Sequence, residues 1–432
     1  MRTRLLSLAL VGAAVLVMSP AAANAQTIAI TGGTVHPVSG PPIENGTVLI
    51  RDGRIAAVGA NVTVPADARR IDATGKWVTP GFINSATTLG LSEAGGPSFS
   101  GGYNDTQAEG ADGIAASFNA WRGLNPASTF IAPARDEGVT SVVVLPGGGG
   151  MVSGAAALID LMPGTVREMV RKAPVAMLGD FGDPTAGTNA RAEFWAKWRA
   201  LIADTRIYAE RKQAYENGAT RDFITRRSEL EAMLPVVNGE LPLLLSANRK
   251  SDIEAALDFA REMRVTIWLS GAAEGWMIAD RIAAANVPVL TGAMNNIPES
   301  FSALGQRQEN AALLRAAGVR VVLIGNGPGD PASFNVRNIR QEAGNAVAYG
   351  LPWDEALRAI TLTPAEVLGV ADSVGSIAPG RVANIVIWSG DPFEFASQAE
   401  HVFVRGAEYT APSRQEQLIE RYRTLPPRYR QP

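Results

Sequence analysis

The 432-residue chain contains no cysteine and only two histidines, His36 and His401. Without a thiol there is no disulfide framework, no Cys-built zinc site and no cysteine nucleophile. Both imidazoles stand outside the long central segment, which therefore has no histidine to hold a metal and none to serve a Ser-His-acid triad. Lysine is scarce there too, limited to Lys172, Lys197, Lys212 and Lys250, none of them inside a strand predicted below. An excess of charge is also missing. The net charge of -3 and pI near 5.7 give no basic field to attract a phosphate backbone or an anionic membrane, so no nucleic acid is expected as a partner. Apolar runs near the roughly 20 residues that span a bilayer are absent as well. The longest begins at Leu5 and ends at Met18, after Arg2 and Arg4 and before Ala23-Asn24-Ala25. That pattern predicts a signal peptide over 1–25, a mature chain beginning at Gln26, periplasmic or secreted localisation, and no membrane span after cleavage.

With 46% hydrophobic and 19% charged residues, the chain can bury one barrel-sized core and a smaller one. Short alternating segments at 27–31, 47–50, 54–58 and 69–71 predict strands, and Asp52-Gly53 predicts a tight hairpin. A matching set, 384–388 and 401–405, recurs near the C-terminus, and the two ends are expected to pair as a small β-sandwich. Between them, apolar runs at 81–86, 141–145, 175–178, 241–245, 265–269, 287–290 and 319–324 alternate with amphipathic segments, the pattern of a TIM-type α/β barrel. An eighth run, 156–162, is either the last barrel strand or a hairpin. Helices are expected at 192–215, 220–234, 251–263, 274–285 and 354–361, with Ser251 as the N-cap of its helix. The expected organisation is 26–79 and 371–412 as the two parts of the sandwich, 80–370 as the barrel and 413–432 as a tail.

The segment Pro80-Gly81-Phe82-Ile83-Asn84-Ser85-Ala86-Thr87-Thr88-Leu89-Gly90 resembles the first barrel strand of the amidohydrolase superfamily, in particular its periplasmic imidazolonepropionase-like members. The resemblance extends over Gly350 to Leu357, over Ile360 to Gly369, and over Asn384 to Pro392, where relatives carry Asp in place of Asn384. It implies the (β/α)8 barrel with a composite sandwich, and hydrolysis of non-peptide C–N bonds in small or cyclic amides by Zn or another divalent metal. The family's two first-strand histidines correspond here to Ala86 and Thr88, and the preceding Asp to Asn84. Ser246 stands in the His place of a His-Ala-Asn-Arg motif on the fifth strand, and the sixth strand ends without His.

These substitutions lead to the expectation of no metal cofactor and of a mouth that still binds a small molecule through Thr88, Ser246, Asn248, Arg249, Glu274, Trp276 and Asn326. Such a barrel would serve as a binding protein, as a homo-oligomer, or as the non-catalytic subunit of a hetero-oligomer with an active amidohydrolase. The alternative is a hydrolase that uses carboxylates with Mg, Mn, Ca or no metal. Asp330 is then the candidate catalytic group, with Asp180, Asp183 and Glu274 following other strands. Turn and cap roles for these acids, and surface positions for both histidines, are the structural alternatives.

Overall fold

The computed structural model describes residues 27–93, 104–108, 110, 113–147, 150–181, 190–294, 298, 300–325, 335–409, 412 and 414–423. At the N-terminal end lie β1 (Ile28–Val35), β2 (Ile43–Arg51), β3 (Arg54–Gly59), β4 (Arg69–Asp72) and β5 (Trp77–Pro80). The turn from β2 to β3 carries Asp52 and Gly53 at φ of 53° and 73°, as a two-residue hairpin requires. The sequence pattern misses β5, because four residues ending in proline show almost no alternation.

The barrel sheet runs β6 (Phe82–Thr87), β7 (Val139–Val144), β8 (Val152–Asp160), β9 (Val170–Asp180), β10 (Leu243–Ala247), β11 (Ile267–Gly271), β12 (Val289–Thr291) and β13 (Val321–Leu323), hydrogen-bonded in that order. The run expected at 156–162 belongs to β8, which is antiparallel to both neighbours while the other pairs are parallel. The connection from β7 to β8 is too short for a crossover helix, so the chain can only turn back. Strand and hairpin are therefore one element. The seam between β13 and β6 is closed by a side chain: Asn84 Nδ2 donates to the Val336 carbonyl (3.1 Å), and its Oδ1 accepts from Gly325 N (3.4 Å).

Inside the barrel Ile83, Ala86, Val143, Leu158, Val175, Leu244, Trp268, Leu290 and Val322 pack as one apolar cluster. Ala365, Leu368 and Val374, from the helix Leu362–Val367 and the turns after it, plug its lower end. The other face of the strands packs beneath an outer helical layer in which Trp198 and Phe259 are fully buried. The helix expected at 192–215 breaks into Arg191–Glu210 and Lys212–Glu216, and the one expected at 220–234 starts later, as Arg227–Val237. The segment 274–285 splits into a 3-10 turn Gly275–Ile278 and a short helix Ala279–Ala284. Among the described residues no helix is long and apolar enough to cross a membrane.

β14 (Ile385–Trp388), β15 (Ala399–Val404) and β16 (Ala407–Tyr409) return to the first sheet, giving the order β16-β15-β14-β5-β1-β2-β3 with β4 beside β1. The two ends of the chain pair through β14 and β5, with Ile385 opposite Pro80. One sheet encloses the small core of Ile30, Ile50, Val78, Ile387 and Phe403, curling until Arg54 bridges Val382.

The two histidines depart from the surface positions expected of them. His36 is buried, its ring 4.5 Å from Trp77 and 5.0 Å from Trp353, with Nε2 lacking a hydrogen-bond partner among the described residues. His401 is half-buried, and its Nδ1 lies 2.6 Å from Glu408. Burial pulls the His36 pKa below its ordinary 6.5, against the opposing pull of Asp391 and Glu44. The unfolded chain therefore takes up this proton first, and stability is lost as pH falls below about 6.5. Melting at pH 7.5 and pH 5.5 should show a smaller acid-side loss in His36→Phe than in the wild type. An equal loss in both would remove His36 from the pH response.

Candidate active site

The barrel mouth is defined by strand register. Leu244 pairs with Trp268, and both belong to the barrel interior. Side chains alternate along a strand, so Ser246 and Ser270, paired two residues further on, occupy the next layer toward the C-terminal mouth. Ser246 also pairs with Asp180 across β10 and β9, which brings one carboxylate and two hydroxyls into that layer. Ser270 is not among the sequence candidates; the signal that finds it is its position two residues after Trp268.

On the first strand, Ala86 is buried within the apolar interior cluster, while Thr88 Oγ1 lies 3.3 Å from Ser92 Oγ. Below them Ser85 Oγ is buried without a partner among the described residues, in a void of about 10 Å³ lined otherwise by apolar side chains and Pro364. A water needs roughly that much room and several polar partners, so this part of the interior is dry.

The loops above hold their own residues in place. Glu274 Oε2 accepts from Lys250 N (2.7 Å) and Oε1 from Gly305 N (3.0 Å). It thereby caps the helix Lys250–Met263, and the expected cap Ser251 lies inside that helix. Both carboxylate oxygens of Glu274 thus hold the loops of the mouth. Trp276 donates its Nε1 to the Gly305 carbonyl (2.8 Å) beneath the guanidinium of Arg307, which fixes it as loop packing. Asn248 Oδ1 faces Ala273 N at 3.4 Å, and its carbonyl accepts from Glu274 N. Arg249, just before the helix, is half-buried, and no carboxylate among the described residues pairs with it. Asp183, Asn326 and Asp330 lie outside the described residues.

Lys172 corrects the expectation that no lysine stands in a strand, since β9 begins at Val170. It sits at the lower end, where Nζ donates to the Leu368 carbonyl (2.7 Å), at the opposite end of the barrel from the mouth. Glu342 is fully buried, its Oε2 accepting from Ala293 N (2.6 Å) and Met294 N (3.0 Å). Burial raises its pKa, the two N–H donors opposing.

Residues 202–410 match the amidohydrolase family. Over 373 residues the chain is 26% identical to an imidazolonepropionase of Acidiphilium cryptum, covering 82% of this chain and 89% of that one. It is 24% identical over 394 residues to amidohydrolase tasK of Hapsidospora irregularis, covering 84% of this chain but 39% of that longer protein. The solved structure of an amidohydrolase from Thermotoga maritima matches with a TM-score of 0.79 and 28% identity, over 89% of this chain and 99% of the other. The chain belongs to the amidohydrolase superfamily. Within that family it departs where the metal would sit. The Ala86 methyl offers no donor, and Thr88 and Ser246 are neutral hydroxyls, weak toward zinc beside imidazole or thiolate. Among the described residues no three His, Asp or Glu side chains form a metal-binding group. The residues present do not fit a histidine-held metal pair.

Proposed function

We propose that this amidohydrolase-family chain is an exported small-molecule-binding protein, with the barrel mouth as its binding site and without the family's metal-dependent hydrolysis. The supporting observation is Ala86. At a position where the resemblance expects a ligating imidazole, a methyl group lies in the apolar interior of the barrel. The mouth layer of Asp180, Ser246 and Ser270, with Arg249 and Asn248 above, offers hydrogen bonds and, in Arg249, a cation with no carboxylate partner among the described residues, suited to a small amide bearing a carboxylate. Glu274 and Trp276 support that mouth by holding its loops.

A panel of cyclic amides and N-acyl amino acids, titrated calorimetrically and recovered for mass analysis, tests this reading. Saturable binding with the ligand returned intact, weakened about tenfold in Arg249→Gln, is the expected result, a loss of about 1.4 kcal/mol. Hydrolysed product released well above background, and abolished in Asp180→Asn, would overturn it in favour of a carboxylate-based hydrolase.

A further inference from the structure

A second cavity lies at the opposite end of the barrel. Residues leading into β11, β12 and β13 form a cleft of about 670 Å³ with the helices Lys250–Met263 and Ala279–Ala284. One wall is apolar, with Leu257, Val265, Ile267, Trp268, Val287 and Pro288. Three arginines also line it, and their circumstances differ. Arg261 pairs with Asp258 (2.9 Å) and Arg281 with Glu254 (2.5 Å). Arg320 has no carboxylate partner among the described residues. Its Nη2 donates to the Asn286 carbonyl (2.9 Å), which fixes the guanidinium against the cleft, while its Nε is buried with no acceptor among those residues. A guanidinium without a carboxylate partner answers best to a carboxylate or sulfonate. The volume falls within the range of sites that enclose a small organic molecule, roughly 300–1,000 Å³.

We infer that this N-terminal cleft is a ligand site for an amphipathic monoanion, its apolar body on the Trp268 and Val287 wall and its carboxylate or sulfonate on Arg320. The site is independent of the mouth. A ligand here leaves the Asp180, Ser246 and Ser270 layer untouched, since that layer lies at the other ends of the strands. Arg261 and Arg281 remain neutralised by their own carboxylates, so specificity for negative charge rests on Arg320.

The test is calorimetric titration of the intact chain with 4-phenylbutyrate, and with its uncharged amide as comparator. Binding of one equivalent of the acid is expected, at least tenfold tighter than the amide, and falling at least tenfold in Arg320→Gln. Ala284→Trp, at an exposed cleft residue that itself makes none of the ion pairs named above, should block binding sterically while leaving the melting temperature near that of the wild type. It keeps the test decisive if Arg320→Gln folds poorly. Absence of binding, equal affinity for acid and amide, or binding that survives Ala284→Trp would overturn the proposal. So would loss of binding in Arg249→Gln, because the anion would then be seated at the mouth.

Discussion

Replacing Asp160 by alanine should destabilise the chain by about 3–5 kcal/mol, the range for removing one partner of a buried ion pair. Asp160 is fully buried at the end of β8. Its Oδ1 accepts from Ser141 Oγ (2.8 Å) and Arg171 Nε (3.0 Å), and its Oδ2 from Arg171 Nη2 (2.7 Å) and Arg405 Nε (2.6 Å). Arg405 comes from the turn between β15 and β16, so one carboxylate ties the barrel to the second sheet. Without it two guanidiniums lose their acceptor, one of them largely buried. The same network accounts for Asn384, where relatives carry Asp. Its amide must donate to Ser141 Oγ (3.3 Å) and accept from Arg405 N (2.8 Å), and a carboxylate cannot donate. Urea unfolding of the wild type and Asp160→Ala, compared at equal slope, measures the cost. A difference below about 1 kcal/mol would reduce the network to the value of an exposed pair.

Trp388→Ala should cost about as much, about 3–5 kcal/mol, as expected for deleting a fully buried large aromatic. The ring lies 5.1 Å from Phe82 of the first barrel strand, and its Nε1 donates to Thr79 Oγ1 (2.9 Å). Gly138, at a φ of 88°, meets the same ring, and a Cβ there would fall 2.5 Å from it. Both the missing side chain and the left-handed backbone require glycine at that position. Trp388→Phe keeps the stacking and loses the hydrogen bond, so it should cost much less. Thermal unfolding of the two variants separates packing from hydrogen bonding, and equal losses would contradict the packing argument.

Much of the architecture is written in local pattern. Alternation around Asp52-Gly53, the barrel-length apolar runs and the substituted first strand all act over a few residues. What was not legible depends on partners far along the chain. Glu274, 24 residues after Lys250, displaces Ser251 as the cap of its helix. The burial of His36 depends on Trp353, which no neighbouring residue announces. Lys172 enters a strand because β9 extends below its apolar centre, along the antiparallel β8. At the mouth, the hydroxyl pair of Ser246 and Ser270 needs the register of β10 and β11, whereas Ala86 and Thr88 were visible as substitutions within a single motif.

The most direct test of metal-independent binding is elemental analysis of the purified full chain, paired with turnover of small amides before and after adding Zn, Mn or Co. Metal well below one equivalent, with no turnover gained on addition, is the predicted result. One or more tightly held equivalents, with hydrolysis that disappears on chelation and returns with the metal, would contradict it.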